Sequence, residues 1–130
     1  MLPIVYLNGQ YLPKEQAALN VTDLAILRGF GIFDYFRYAD GKPRFIEDHL
    51  DRFYRSAALL AMEIPVKRDE LKSVVHELIE RNGGGDGGIR FVLTGGYAPD
   101  GYTPTSPNLV AMAYPFNDPV DELYARGMKV

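Results

Sequence analysis

Two amphipathic helical patterns, adjacent in the middle of the chain, constrain its fold more than any other feature. Apolar residues recur at helical spacing over residues 47–62 and again over residues 69–82. Pro65 lies between them and cannot continue the first helix, so we expect two helices, with Asp69 at the N-cap or in the first turn of the second. The apolar positions are Leu50, Phe53, Tyr54, Ala57, Leu60 and Ala61, then Leu71, Val74, Val75, Leu78 and Ile79. Each helix has to bury this stripe against a second layer.

Runs of β-prone residues flank the helical pair on both sides. Asn8-Gly9 interrupts residues 4–12, and Asp40-Gly41 separates residues 32–39 from residues 42–46. Both dipeptides tolerate positive φ and predict hairpins. Two further strands are expected over residues 89–94 and 109–114. Strands, then two helices, then strands predict an α+β fold, a two-layer sandwich with a mainly antiparallel sheet and both helices on one face.

The strand over residues 32–39 has an unusual alternation. Its two faces carry Ile32, Asp34, Phe36 and Tyr38 on one side, and Phe33, Tyr35, Arg37 and Ala39 on the other. Asp34 interrupts a row that is otherwise apolar and aromatic. Because neither face is purely apolar, we expect this strand to lie between a core and a cleft.

Length and composition exclude several classes of protein. The 130 residues can enclose one sizeable core, so residues 1–130 are expected to form a single domain, and residues 119–130 resemble a helix followed by a strand that is cut off. The chain has no cysteine, which excludes disulfide frameworks and thiolate chemistry, and its net charge of −3 disfavours nucleic-acid binding. No apolar run approaches the roughly 20 residues of a membrane span. These features predict a cytoplasmic protein.

Two other candidate sites are weak. Residues 83–88 contain five glycines, but they follow a helix and lack Gly-Lys-Ser/Thr, so a turn is expected there instead of a phosphate loop. His76 has only Glu80 at metal-ligand spacing on its helix and is expected at the surface. We therefore predict no metal site.

His49 and Arg52 form a stronger candidate. They are three residues apart on the first helix, so they are neighbours at the border of its apolar stripe. The guanidinium fork at such a border can bind phosphate or carboxylate. The alternative is that Arg52 pairs with Glu47, Asp48 or Asp51 on its own helix.

Two segments resemble the N-terminal domain of the class IV pyridoxal-phosphate aminotransferases, which include branched-chain and D-amino-acid aminotransferases and aminodeoxychorismate lyases. They are Asp23-Leu-Ala-Ile-Leu-Arg-Gly-Phe-Gly-Ile-Phe-Asp-Tyr-Phe-Arg37 and Arg44-Phe-Ile-Glu-Asp-His-Leu-Asp-Arg-Phe53. The order of hairpin, Arg-Gly-Phe-Gly turn, aromatic strand, His-x-x-Arg helix, second helix and Gly-Tyr loop extends the resemblance over the whole chain.

The resemblance implies roles for particular residues. Arg52 matches the arginine that binds the phosphate of pyridoxal 5'-phosphate, and His49 matches a histidine that we assign to orientation and packing. The implied substrate-binding residues are Phe33, Tyr35, Arg37, Arg90 and Tyr102, the last in a loop that closes over the substrate. The implied partners are two small molecules, an amino acid and a 2-oxo acid, and the implied assembly is a homodimer.

Three departures from the family pattern limit these implications. Asp100 stands where D-amino-acid members have an arginine, so D-amino-acid specificity is disfavoured, and Gly88 stands where branched-chain members often have a tyrosine. The family's Schiff-base lysine is matched by none of Lys14, Lys42, Lys67, Lys72 and Lys129. We therefore expect the small domain of a longer enzyme, with no catalytic residue of its own and inactive alone. The preferred parent is a branched-chain-like L-amino-acid aminotransferase, and the alternatives are a lyase or a non-catalytic binding or assembly module.

Overall fold

The structure, a computed structural model, describes residues 3–116. Its elements in chain order are β1 (Ile4–Leu7), β2 (Gln10–Pro13), α1 (Leu24–Arg28), β3 (Gly31–Ala39), β4 (Lys42–Pro43), α2 (Ile46–Leu59), α3 (Arg68–Arg81), β5 (Gly87–Thr94) and β6 (Leu109–Pro115). These strands form one sheet in the order β2-β1-β6-β5-β3-β4, and every neighbouring pair is antiparallel. The helix and strand expected over residues 119–130 lie outside the described residues.

The main core lies between the sheet and the helices α2 and α3, which confirms the α+β prediction. Alternate residues of β3, β5 and β6 point into this layer and meet the apolar stripes of the two helices. Its centre is aromatic: the Phe91 ring lies 5.4 Å from that of Phe36 and 5.1 Å from that of Phe53, centroid to centroid. Within residues 3–116, no helix combines the length and apolar character that a membrane span requires.

Both predicted hairpin turns have the expected backbone. Asn8 and Gly9 have φ of 47° and 93°, and Asp40 and Gly41 have φ of 51° and 72°. Two consecutive positive φ values give the turn twist that matches antiparallel strands, which explains why Asn-Gly and Asp-Gly stand at these positions.

The first helix of the predicted pair begins earlier than the sequence pattern indicates, and the strand before it is shorter. β4 ends at Pro43, so the predicted strand over residues 42–46 is wrong in its second half. Phe45 adopts a left-handed φ of 54° and α2 begins at the next residue. Within the described residues, β4 pairs only with the end of β3 and the amide of Arg44 donates to the carbonyl of Arg37, so residues 31–36 of β3 have β5 as their single neighbouring strand. One edge of the sheet is therefore open beside α2.

Candidate functional site

Arg52 reaches from α2 to β3, where it binds Asp34. Its Nε donates to Asp34 Oδ2 over 3.0 Å and its Nη2 donates to Asp34 Oδ1 over 2.5 Å, so the contact is bidentate. The same Oδ1 accepts the backbone N–H of Tyr35 over 2.8 Å. Nδ1 of His49 lies 3.2 Å from Oδ1 and 3.1 Å from Nη2 of Arg52. We call Asp34, His49 and Arg52 the Asp34 cluster.

The members of the Asp34 cluster differ sharply in exposure. The side chain of Asp34 is 5% exposed and that of Arg52 is 57% exposed. A carboxylate this deep is unfavourable unless it is paired, and Arg52 supplies the compensating charge. In return, the hydrogen bonds and then the charge of Asp34 raise the pKa of Arg52. The guanidinium therefore stays cationic throughout the physiological pH range.

Because Arg52 pairs with Asp34 on β3, it does not form the ion pair within α2 that its spacing allowed as an alternative. Glu47 instead accepts hydrogen bonds from Arg68 over 2.7 Å and from Lys72 over 2.5 Å, both on α3. Asp51 also accepts from Arg68, over 2.5 Å. The alternative that Arg52 pairs with an acid of its own helix is therefore wrong, since these acids tie α2 to α3.

The remaining surface of Arg52 fits a phosphate group. Among residues 3–116, the recorded contacts of its guanidinium use Nε and Nη2, while more than half of the side chain is exposed. Guanidinium donors match phosphate oxygens in geometry and charge. The residues present therefore suit the cofactor phosphate that the resemblance implies for Arg52.

The opposite face of the sheet carries four of the predicted substrate residues. Phe33, Tyr35 and Arg37 lie on this face of β3, and Arg90 on β5 is the cross-strand partner of Tyr35. The guanidinium carbon of Arg90 lies 5.7 Å from the ring centroid of Phe33, 5.8 Å from that of Tyr35 and 5.5 Å from that of Tyr114. Its Nε is buried and finds no hydrogen-bond partner in the described part of the chain. A cation among aromatic rings, with a buried donor to satisfy, suits a carboxylate ligand.

Tyr35 lies over a glycine on the neighbouring strand. A Cβ built at Gly88 would overlap the hydroxyl and ring of Tyr35. Because residue 88 has no side chain, the Tyr35 ring takes the space in front of β5. Gly88 departs from the branched-chain pattern, and the absence of a side chain there allows the Tyr35 ring to occupy this position.

Tyr102 lies in the loop over residues 95–108, where its ring and its carbonyl oxygen contact Arg28 of α1. Arg28 donates from Nη1 to the carbonyl of Tyr102 over 2.8 Å and stacks 4.2 Å from its ring centroid. The Asp100 carboxylate accepts hydrogen bonds from the hydroxyl and amide of Thr103 and from the amide of Tyr102, and these lower the pKa of Asp100 to about 2. The structure thus brings Phe33, Tyr35 and Arg90 together and places Arg37 on the same face, while within residues 3–116 Tyr102, which is 66% exposed, contacts Arg28 and Asp100 instead.

The sequence pattern does not identify three residues that the structure adds to these sites. They are Asp34 as the partner of Arg52, Arg28 beneath Tyr102, and Tyr114 beside Arg90. Only Asp34 gave a signal in the sequence, because it places a charge in an apolar row. Nothing local in the sequence connects the other two to their partners on distant elements.

Comparison with known proteins identifies the family. Residues 31–130 match the family described as amino-transferase class IV. A D-alanine aminotransferase of Staphylococcus haemolyticus is 33% identical over 92% of this chain and 44% of its own length. A putative branched-chain-amino-acid aminotransferase of Methanocaldococcus jannaschii is 34% identical over 85% of this chain and 40% of its own length. An aminodeoxychorismate lyase of Bacillus subtilis is 31% identical over 69% of this chain and 31% of its own length.

Solved structures have the same fold. A branched-chain amino acid aminotransferase complexed with N-(5'-phosphopyridoxyl)-L-glutamate superposes with a TM-score of 0.80 at 28% identity, over 88% of this chain and 40% of that chain. The branched-chain aminotransferase of the archaeon Thermoproteus uzoniensis superposes with a TM-score of 0.74 at 26% identity, over 88% of this chain and 41% of that chain. The present chain spans less than half the length of these relatives. The family match over most of the chain, the identities and the shared fold agree, and the chain belongs to the class IV aminotransferase family.

Proposed function

We propose that residues 1–130 are the small N-terminal domain of a pyridoxal-phosphate enzyme that transfers an amino group between an amino acid and a 2-oxo acid. The observation that carries the proposal is the geometry of Arg52, a permanent cation held at its base by a buried carboxylate and exposed at its outer side. One structural relative was solved with a phosphopyridoxyl compound, which supports the same cofactor here.

Each side of the sheet has a separate task in this proposal. Arg52 binds the phosphate of pyridoxal 5'-phosphate, which when bound supplies the carbonyl group that accepts the amino group. On the opposite face Arg90 binds the substrate carboxylate, because its unsatisfied Nε and charge favour an anion. Phe33, Tyr35 and Arg37 wall the pocket and exclude water, and Tyr102 covers it from the loop over residues 95–108.

The proposed reaction requires a lysine that reacts with the cofactor, and none of the four lysines within residues 3–116 is assigned that role. Lys72 is bound to Glu47, Lys67 precedes α3, Lys42 lies in β4 and Lys14 in a short turn after β2. These positions support the proposal that the reacting lysine belongs to a larger C-terminal domain and that the chain alone is inactive. The length of the relatives, more than twice that of this chain, supports the same division.

We propose a branched-chain-like L-amino acid as the substrate. Aromatic rings surround Arg90, and Asp100, ionised at neutral pH, would repel a second carboxylate at the loop. A D-amino acid is the second candidate, since relatives named for D-alanine and for branched-chain amino acids match at 33% and 34% identity. A lyase reaction is the third, because an aminodeoxychorismate lyase also matches. A free-standing binding or assembly module is the non-enzymatic alternative.

We expect the complete polypeptide that the gene encodes, including any residues after Val130, to bind pyridoxal phosphate and to transfer the amino group of L-leucine to 2-oxoglutarate. The cofactor is followed by its absorbance and the transfer by the keto acid released. D-alanine and aminodeoxychorismate are assayed in parallel and are expected to react more slowly. If D-alanine or aminodeoxychorismate reacted faster, the proposed substrate would be wrong. If the protein did not bind the cofactor, the alternative of a non-catalytic binding or assembly module would be favoured.

Replacing Gly88 with alanine in the full-length enzyme is expected to raise KM for the amino donor several-fold. The added methyl group overlaps the hydroxyl of Tyr35 and displaces its ring from beside Arg90, and overpacking of this kind usually costs about 1–3 kcal/mol. Steady-state kinetics with the amino donor varied measures the change.

Gly87 offers a matched control on the same strand. A Cβ there would overlap Tyr38, whose side chain lies in the core on the helix side of the sheet, and also the backbone carbonyl oxygen of Tyr114 on β6. Gly87→Ala should therefore lower the melting temperature without raising KM when assayed below the transition. If both variants changed KM equally, the effect would be general instability and the pocket assignment of Tyr35 would be wrong.

The proposal includes a cytoplasmic homodimer. Large apolar or aromatic side chains are exposed on α1 and on the neighbouring β3 and loop, which supports a second copy covering this region. They are Ile26, Leu27, Phe33, Tyr97 and Tyr102.

A further inference from the structure

We propose that Asp34, assisted by His49, is a positioning residue that fixes Arg52 for the cofactor phosphate, an inference that rests on the proposed function of Arg52. Asp34 is held by four contacts: two from the Arg52 guanidinium, one from the Tyr35 amide and one with His49. An exposed arginine ordinarily samples many rotamers. The bidentate contact selects one of them before any ligand arrives.

The location of Asp34 argues that it is there for Arg52. It occupies the helix-facing side of β3 in the same row as Phe36 and Tyr38, where an apolar side chain would pack without desolvation. The carboxylate also places a negative charge beside a site proposed for phosphate, which by charge alone opposes binding. Both effects are unfavourable, so the presence of Asp34 is explained if it gives a larger benefit. Asp34 fixes the Arg52 guanidinium before phosphate binds, and this avoids the large loss of rotamer entropy that ordering an arginine side chain on binding would otherwise cost.

His49 completes the cluster from the side. Its ring stacks on Phe36 with centroids 4.8 Å apart and planes inclined by 24°, so the core fixes its orientation. Nδ1 then lies within hydrogen-bond distance of both Asp34 Oδ1 and Arg52 Nη2. It can donate to the first or accept from the second, and either bond limits rotation of the guanidinium.

The test uses the full-length protein and two ligands, pyridoxal phosphate and pyridoxal, which differ only in the phosphate. Asp34→Asn keeps the shape of the side chain and removes its charge. We expect it to weaken pyridoxal phosphate about fivefold to thirtyfold, the range that arginine rotamer ordering represents, and to leave pyridoxal unchanged. If Asp34 acted only through its charge, the same substitution would tighten pyridoxal phosphate. A merely structural role would weaken both ligands together.

A double-substitution cycle isolates the route through Arg52. In an Arg52→Ala background, Asp34→Asn is expected to have no further effect on pyridoxal phosphate, and a further loss would overturn the inference. Tighter or unchanged binding in Asp34→Asn alone would also overturn it, while leaving the role of Arg52 intact. Unchanged binding in Arg52→Ala would instead refute the phosphate role of Arg52 itself. Should Asp34→Asn fail to fold, Asp34→Glu, which keeps the charge and shifts the carboxylate, is expected to give the same selective loss.

Discussion

Replacing Arg52 with alanine in the full-length protein is expected to raise the dissociation constant of pyridoxal phosphate about tenfold to hundredfold. A charge-assisted hydrogen bond to phosphate is typically worth about 1.5–3 kcal/mol, and alanine removes it. Titration of the cofactor, followed by its absorbance, measures the change. Arg52→Lys is expected to recover only part of the affinity, because an ammonium keeps the charge and loses the fork.

The same substitution is also expected to lower the melting temperature. The border position of Arg52 on α2 predicts little effect on folding, but the structure shows that its loss leaves the buried Asp34 carboxylate without its cation. Breaking a fully buried pair costs about 3–5 kcal/mol, and we expect about 1–2 kcal/mol here because most of Arg52 is exposed. Adding Asp34→Asn to Arg52→Ala should restore stability without restoring affinity.

Arg55 provides the internal control for both effects. It is exposed on the same helix, one turn after Arg52. Arg55→Ala removes a cation of equal charge and is expected to change neither the affinity nor the melting temperature by a measurable amount. Equal affinities for the wild-type protein and Arg52→Ala would refute the anchor assignment. Equal losses in Arg52→Ala and Arg55→Ala would assign the effect to general charge.

Most of the architecture could be predicted because its signals are local. Helical periodicity located α2 and α3, although α2 ends at Leu59, before the predicted Leu60 and Ala61. The predicted start of α3 at Asp69 is one residue after the observed one, and Asp69 lies in the first turn. The hairpins at Asn8-Gly9 and Asp40-Gly41 follow from residues that accept positive φ. The helix α1 was not predicted, because five residues are too short to display a helical period. The predicted strand over residues 42–46 is wrong beyond Pro43, because Phe45 adopts the left-handed conformation, which a strand does not continue through.

The candidate site was only partly predictable, because its contacts join residues far apart in the chain. The position of Arg52 at the border of α2 and the charge of Asp34 in an apolar row are both visible in the sequence. Their pairing, across 18 residues, is not. Spacing alone therefore favoured acids of the same helix as the partners of Arg52. In the folded chain, Glu47 of that helix instead pairs with Arg68 and Lys72 on α3. The resemblance correctly identified the family but did not reveal Asp34.

The largest effect on stability is expected at Asp23, whose side chain is fully buried. Its Oδ1 accepts the amide of Ala25 over 2.8 Å and caps α1, while Oδ2 accepts the hydroxyl of Thr94 and the side-chain amide of Asn108, each over 2.7 Å. Asn108 in turn accepts from Asn8 over 2.9 Å. One carboxylate therefore joins α1, the end of β5 and the loop before β6.

Asp23→Ala is expected to lower the free energy of unfolding by about 3–5 kcal/mol, because it removes a helix cap and leaves buried donors unsatisfied. Since the loop that carries Tyr102 is held to α1 partly through Asp23, substrate binding should weaken as well. Urea unfolding of the full-length protein measures the first effect, and KM for the amino donor measures the second.

Asp23→Asn separates burial from hydrogen bonding at this position. Asparagine fills the same volume and can still cap α1 through its oxygen, but its NH₂ group then faces the donors of Thr94 and Asn108. An expected loss of about 2–3 kcal/mol would follow from that mismatch. Asn20→Ala is the matched control, because Asn20 caps the exposed turn at Thr22 over 2.9 Å and 2.8 Å without burial, so its removal should cost less than about 1 kcal/mol. If Asp23→Asn proved as stable as the wild-type protein, the hydrogen-bond network would not depend on the carboxylate. The connection between α1 and the loop would then have to come from two backbone hydrogen bonds, from the amide of Leu24 to the carbonyl of Gly96 and from the amide of Ala98 to the carbonyl of Thr22.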